Sequence, residues 1–211
     1  METVRYRTVA KAAQAEFIER KSRFIGSIKP VQTEEDAVAF INEIRSQWRD
    51  ASHHVYAYVL RKDNKMRHSD DGEPQGTGGI PVLEVLTKSG VTDAVVVVTR
   101  YFGGILLGAG GLVRAYSHGA ATALHEAGIA LMARCKEGEL LCDYAQYGAV
   151  SALLPACGGG IDQVEFGEKV FMKFHFLPEQ IPKMERELAD ATNGQIAAHW
   201  NGERFLQIAE E

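Results

Sequence analysis

The sequence predicts an α+β protein with two domains. Segments rich in β-branched and aromatic residues alternate with segments of helical periodicity along all 211 residues. A hydrophobic content of 45% and a charged content of 24% are typical of globular proteins, and no apolar run approaches the ~18 residues that cross a bilayer. Lys and Arg outnumber Asp and Glu by 16 to 15 in residues 1–130, whereas residues 131–211 hold 7 against 13. We therefore expect domains at 1–132 and 133–211 and no contact with membranes.

The first elements form a hairpin and a helix. Strands are expected at Thr3–Val9 and Glu16–Val31, and the basic run Arg20-Lys21-Ser22-Arg23 is predicted to turn within the second. Thr33 suits a helix N-cap because three acidic residues follow it. The helix is predicted to bury a stripe at Val38, Ile41, Ile44 and Trp48.

The middle of the chain alternates strands and helices around two glycine-rich segments. His53–Leu60 is predicted to be a strand with both faces partly covered. A short helix follows at Ile80–Lys88, and its three-residue spacing predicts burial of Ile80, Leu83 and Leu86. The valine-rich run Ala94–Thr99 is typical of a central buried strand, and Gly111–Ala127 is predicted to be a helix.

The C-terminal half has a recognisable order of elements, β-α-β-β-α-β, which is the ferredoxin-like pattern. The predicted segments are a strand at Leu140–Tyr147, a helix at Gly148–Ala156, strands at Ile161–Phe166 and Val170–Leu177, a helix at Ile181–Ala191 and a strand at Gln195–Gln207. The three cysteines are odd in number and make no C-x-x-C. With no signal-like N-terminus, we expect free thiols and a cytoplasmic location.

A glycine loop follows the valine strand and precedes a helix, an arrangement that favours anion binding by backbone N–H groups. Two guanidinium groups flank this loop, so we expect an exposed cradle for negative charge. The candidate anion- or RNA-binding residues are Arg100, Tyr101, Gly103, Gly104, Gly108, Gly110, Gly111 and Arg114, with Arg20, Lys21 and Arg23 of the hairpin. The alternative is structural: the glycines permit close packing, and the arginines pair with the acidic loop.

An acidic loop precedes the short helix. Its candidate residues are Asp70, Asp71, Glu73, Gln75 and Thr77, with His53 and His54 nearby. Three interpretations stay open: a divalent metal site, a solvated turn, or a clasp onto Arg100 and Arg114. The spacing matches no known metal motif, and no nucleophile elbow or catalytic triad can be assembled, so we expect no cofactor and no catalytic residue.

The two loops together resemble the YigZ/IMPACT family. The matching segments are Asp70-Asp-Gly-Glu-Pro-Gln-Gly-Thr77 and Val97 to Tyr116, the latter reading VTRYFGGILLGAGGLVRAY after its first valine. The resemblance covers about residues 16–128, and the C-terminal half resembles that of bacterial members. It implies an N-terminal domain like the second domain of small-subunit ribosomal protein five, and a pair of domains like domains IV and V of elongation factor G.

The resemblance also implies a translation-associated protein that contacts RNA, the ribosome or a translation factor. A second hypothesis is a nucleotide- or phosphometabolite-binding enzyme of the GHMP-like fold, with Gly108–Gly111 on the phosphates and Asp70 or Asp71 on Mg²⁺. A third is a protein-interaction module. The three hypotheses differ in ligand, so binding experiments separate them.

Overall fold

The computed structural model describes residues 5–208, which divide into two compact units. One unit contains Tyr6–Leu131, and the other contains Arg5 with residues 132–208. Two five-stranded sheets carry the fold, and helices pack on the sheet in each unit. The α+β class predicted from the sequence is therefore confirmed.

The first unit is built on a sheet with strand order β2-β3-β6-β4-β5, in which every neighbouring pair is antiparallel. After β1 (Arg5–Val9), its elements are β2 (Ala13–Glu19), β3 (Ser22–Pro30), α1 (Glu34–Gln47), β4 (His53–Leu60), β5 (Lys65–Ser69), α2 (Gly79–Lys88), β6 (Ala94–Tyr101) and α3 (Ala109–Ala127). A short 3-10 turn, Lys62–Asn64, joins β4 to β5.

The central strand β6 is buried on both faces, as its valine run predicts. Val96 and Val98 face the core beneath α2 and α3, whereas Val95 and Val97 face the core beneath α1. The closest contact lies where α3 crosses β3, because a Cβ on Gly26 would lie 2.2 Å from the Gly119 carbonyl oxygen. Two glycines facing each other let the helix backbone rest on the sheet.

The hairpin and the first helix cap follow the sequence prediction. Arg20 and Lys21 form a two-residue turn with φ of 44° and 64°, the left-handed geometry that matches strand twist. Thr33 Oγ1 accepts a hydrogen bond from the Asp36 N–H at 3.1 Å, which caps α1.

The predicted buried stripes of α1 and α2 are partly wrong. Val38 is 44% exposed, and Phe40 takes its place in the core beside Ile41 and Ile44. Ile80 is also 44% exposed, whereas Val82 and Leu86, four residues apart, are buried. Both helices bury a face rotated from the one that three-residue spacing suggested. The strand β5 was not predicted, because its sequence, Lys-Met-Arg-His-Ser, lacks β-branched residues and lies at the sheet edge.

The second unit shows the predicted β-α-β-β-α-β order. Its elements are β7 (Ile129–Cys142), α4 (Tyr144–Ala156), β8 (Gly160–Phe166), β9 (Val170–Phe176), α5 (Ile181–Thr192) after a 3-10 turn at Pro178–Gln180, and β10 (His199–Ile208). The strand order is β1-β7-β9-β8, and β10 pairs with β7. The core contains Leu140, Met172, Phe174, Phe176, Met184 and Leu188.

Two strand boundaries in this unit differ from the prediction. The strand expected at Leu140–Tyr147 begins at Ile129 and ends at Cys142. Residues 144–147 belong to α4 instead, because the Gln146 side chain accepts the Asp143 N–H and starts the helix there. The final strand starts at His199 rather than Gln195. Within residues 5–208, no helix has the length and apolar character to cross a membrane.

Candidate functional site

Asp70 organises the acidic loop from within. Its carboxylate accepts the backbone N–H groups of Gly76, Gly78 and Gly79 at 2.9, 2.9 and 2.7 Å. Burial pushes the pKa of this carboxyl up, but the three N–H donors outweigh it and leave the pKa below its ordinary value of 3.8. Asp70 therefore closes the loop and holds the first turn of α2.

Asp71 ties the same loop to its neighbours. One carboxylate oxygen accepts from Arg45 of α1 at 2.6 Å, and the other accepts the backbone N–H of His54 at 2.6 Å. The Asp71 carbonyl oxygen lies 2.8 Å from His53 Nδ1, so that ring nitrogen is the donor. Burial lowers the pKa of His54, whose Nε2 bonds to the Trp48 carbonyl.

Glu73, Arg100 and Tyr116 form a buried polar cluster, which we call the latch. Arg100 Nη1 and the Tyr116 hydroxyl each donate to Glu73 Oε1 at 2.6 Å, and the Arg100 and Glu73 side chains are only 6% and 4% exposed. Burial first, and then the Glu73 carboxylate, raise the pKa of Tyr116 far above its ordinary value. The rings of Phe24 and Phe102 lie 5.5 and 5.4 Å from the guanidinium carbon.

The latch corrects the expectation of two open guanidinium groups. Arg100 is buried and neutralised by Glu73, so it does not flank an exposed cradle. The clasp interpretation holds for this one pair only, since Asp70 and Asp71 have other partners and Arg114 stays exposed. Tyr116 was not predicted, although a tyrosine on the apolar face of an alanine-rich helix signals a buried hydroxyl that needs an acceptor.

The acidic loop has no geometry suited to a metal ion. No group of three or more His, Cys, Asp and Glu side chains within residues 5–208 is arranged to hold one. The oxygens of Asp70 and Asp71 already accept hydrogen bonds from the protein. Thr77 donates its hydroxyl to the Pro74 carbonyl at 2.6 Å, whereas Gln75 is exposed. These residues shape the loop.

The glycine loop, residues 102–108, is fixed to the basic hairpin. A Cβ on Gly103 would lie 2.0 Å from the carbonyl carbon of Lys21, and the Gly103 N–H donates to Ser22 Oγ at 3.2 Å. Gly104 and Gly108 have φ of 81° and 71°, the left-handed region that favours glycine. The loop and the hairpin turn therefore form one backbone platform.

A groove beside this platform gathers two of the predicted arginines. We call it the arginine groove; it has a volume of about 450 Å³ and is lined by Phe17, Ile18, Glu19, Arg20, Leu107, Gly111, Arg114, Ala115 and His118. Arg20 and Arg114 are both exposed, and Glu19 lies 4.0 Å from the Arg20 guanidinium. His118 was not predicted; it lies four residues after Arg114 on the same helix face.

Three other predicted residues have different surroundings. Arg23 pairs with Glu16 at 2.5 Å and lies 5.3 Å from the Trp48 ring. Tyr101 donates its hydroxyl to Asp50 at 2.8 Å. Lys21 is exposed at the hairpin turn but does not line the groove.

A second cavity lies at a neighbouring face of the start of α3. We call it the apolar pocket; it has a volume of about 470 Å³ and is lined by Pro74, Phe102, Leu106, Leu107, Gly108, Ala109 and Leu112, with Ser52, His53, Glu73 and Arg100 as its polar members. Phe102 is 48% and Leu106 81% exposed. Sequence reasoning missed this pocket, although three successive aliphatic residues at 105–107 inside a glycine-rich loop are unusual enough to signal it.

The sequence was compared with protein families and with known proteins, and both units have matches. Residues 20–124 match the Impact N-terminal domain, and residues 140–195 match a domain of unknown function, DUF1949. IMPACT family member YvyE of Bacillus subtilis is 36% identical over 191 residues, which cover 90% of this chain and 88% of that protein. IMPACT family member YigZ of Escherichia coli is 37% identical over 180 residues, which cover 84% and 88%.

A solved structure, described as the crystal structure of a hypothetical protein, is also similar. It is 33% identical, with a TM-score of 0.61, and the match covers 99% of this chain and 100% of the other. Both units therefore have relatives in the same arrangement along the chain. The chain belongs to the IMPACT family.

Proposed function

We propose that this protein acts in translation by binding RNA, free or in the ribosome, through its first unit. The observation that carries the proposal is the arginine groove, where Arg20 and Arg114 approach the glycine platform and the first turn of α3. Guanidinium groups and the N–H groups of a helix N-terminus are the donors that bind phosphate.

The charge distribution also favours the first unit as the part that binds RNA. The balance of Lys and Arg against Asp and Glu is +1 in residues 1–130 and −6 in residues 131–211. Phosphate contacts are therefore assigned to the local basic cluster of the first unit. Arg100 is not assigned a phosphate contact, because Glu73 neutralises it. Through the latch it holds the acidic loop against α3.

Gly110 adds a local argument. A Cβ at this position would meet nothing closer than Arg114 Nη1 at 4.0 Å, so packing does not require glycine here. A glycine inside a helix costs about 1 kcal/mol relative to alanine. An unobstructed backbone at the start of α3 is consistent with the close approach of a ligand.

The finer fold assignment also supports the proposal. The strand order β10-β7-β9-β8 of the second unit is the one expected of a ferredoxin-like domain, and we propose that the two units correspond to domains IV and V of elongation factor G. Fold analogy alone is weak support for function, so the proposal rests on the groove.

The test is the salt dependence of RNA binding. We expect the purified protein to bind structured and single-stranded RNA, with a log-log salt slope that falls by about 0.7–0.9 for each phosphate contact removed. Arg114→Gln and Arg20→Gln should each reduce the slope. Lys88→Gln is the matched control, because Lys88 is exposed, pairs with Glu84 and lines neither cavity.

Two results would overturn the proposal. One is the absence of RNA binding and of ribosome co-sedimentation at low salt. The other is a melting temperature raised by Mg²⁺ with a nucleotide and unaffected by RNA, which would favour the nucleotide-binding hypothesis. Specific capture of a translation factor without RNA binding would favour protein interaction.

A further inference from the structure

The apolar pocket combines exposed apolar walls with a neutral polar floor. Phe102 and Leu106 are exposed at its rim, while the buried Arg100–Glu73 pair lies at its base. Paired charges of opposite sign leave no net attraction for a phosphate. The pocket therefore fits a flat, largely apolar group that carries hydrogen-bonding edges.

The floor of the pocket carries polar groups beside its apolar walls. His53 Nε2 lies 3.8 Å from Glu73 Oε1, the oxygen that accepts from Arg100 Nη1 and from the Tyr116 hydroxyl. The Arg100 Nε donor is also buried and has no hydrogen-bond partner among the described residues.

The pocket and the arginine groove lie on neighbouring faces of the start of α3. Leu107 lines both cavities, with Gly111 and Arg114 on one side and Gly108 and Leu112 on the other. A nucleic acid strand crossing the first turn of α3 can thus place a phosphate in one cavity and the adjoining base in the other. Single-strand binding proteins commonly combine a basic groove with an aromatic side chain that stacks on a base.

We propose that the apolar pocket binds an unpaired nucleobase, stacked on Phe102 and covered by Leu106. The inference rests on the proposed RNA function and names the part of the RNA that is recognised.

The experiment compares four single strands of equal length by fluorescence anisotropy: oligo(A), oligo(C), oligo(U) and a ribose-phosphate strand without bases. For the wild type we expect all three strands that carry bases to bind more tightly than the abasic strand. We expect oligo(A) to bind roughly 5- to 150-fold more tightly than the abasic strand, the range that corresponds to about 1–3 kcal/mol for one stacked base.

Variants separate the two cavities. Phe102→Ala and Leu106→Ser should lose most of the preference for bases and keep the salt slope. Leu106 is 81% exposed in the native chain, so Leu106→Ser should not disturb folding. Arg114→Gln should lower the slope and keep the preference. Val38→Ser is the control, because Val38 is exposed on α1 and lines neither cavity.

The outcomes distinguish this inference from the function on which it rests. Equal affinity for oligo(A) and the abasic strand would overturn the base pocket and leave the phosphate groove intact. Failure to bind any strand would overturn the proposed function itself, and a protein segment seated on Leu106 would then be the better occupant.

Discussion

Asp70 satisfies three backbone N–H groups with one carboxylate, and this single side chain determines the path of the acidic loop. The sequence predicts a polar turn here but not which carboxylate serves which purpose. Asp70, Asp71 and Glu73 lie within four residues, yet one caps a helix, one pairs with Arg45 and one is buried against Arg100. These partners are 26–27 residues away or belong to the backbone, so spacing alone could not assign them.

The substitution Asp70→Asn tests this capping role. We expect a loss of about 1.5–3 kcal/mol in the free energy of unfolding at pH 7, because hydrogen bonds to a charged acceptor are lost. The measurement is urea unfolding, with Glu43→Gln on the exposed face of α1 as control.

The pH dependence of this loss follows from the lowered pKa of Asp70. The stabilisation is fully present above the ordinary value of 3.8 and is lost as the pH falls through the lower folded-state pKa. The difference between wild type and Asp70→Asn should therefore shrink below pH 3.8. A constant difference down to pH 2 would contradict the capping account.

His54 gives a second pH test, in which the folded state favours the neutral form of the side chain. Burial lowers its pKa, so the folded state holds the neutral ring while the unfolded state takes up a proton once the pH falls below 6.5. Stability should decline between pH 6.5 and 5, by at most about 1.4 kcal/mol per pH unit. We expect His54→Gln to flatten this slope, whereas His125→Gln, whose side chain is 88% exposed, should keep it.

At the scale of elements, glycines have two different purposes within one loop and helix. Gly103 is required by packing against Lys21, whereas a Cβ on Gly110 would meet nothing closer than Arg114 Nη1 at 4.0 Å. Sequence reasoning grouped them as one anion-binding set, because both glycines look alike in a motif. What distinguishes the two glycines is a contact between the hairpin and the loop. In the Gly103–Ser22 hydrogen bond, the partners are 81 residues apart in the sequence.

This difference predicts contrasting alanine variants. Gly103→Ala should destabilise the first unit by more than about 3 kcal/mol, because a Cβ 2.0 Å from the Lys21 carbonyl carbon forces the platform apart. Gly110→Ala should be neutral or should stabilise by up to about 1 kcal/mol, owing to helix propensity. Thermal unfolding of both variants decides the point, and similar losses would contradict it.

The order of helices and strands was largely predictable, and the burial of individual residues was less so. Periodicity located α1 and α2, alanine content located α3, and the valine run located β6, because these patterns are long or strong. Val38 and Ile80 were misplaced because a three-residue spacing is compatible with two neighbouring helix faces. Only the sheet decides which face is covered.

For the whole molecule, the two units have separate cores, and the free cysteines belong to one of them. Cys135, Cys142 and Cys157 are all buried in the second unit, and burial raises the pKa of Cys135 and Cys142. Thiol reactivity therefore reports the opening of the second unit. The domain boundary near residue 133, which charge and element order suggest, stays a prediction.

A cavity in the second core should leave the first unit functional. We expect Phe174→Ala to cost about 3–5 kcal/mol and to lower the denaturant concentration at which the thiols react. RNA affinity, measured well below that concentration, should not change. A parallel loss of affinity would assign part of the binding surface to the second unit.

The latch has an evolutionary consequence. Replacing Arg100 alone strands a buried carboxylate, and replacing Glu73 alone strands a buried cation, so single steps cost several kcal/mol. Homologues that abandon this trio should exchange its members in concert, with an apolar residue arriving at the tyrosine position when the acid disappears.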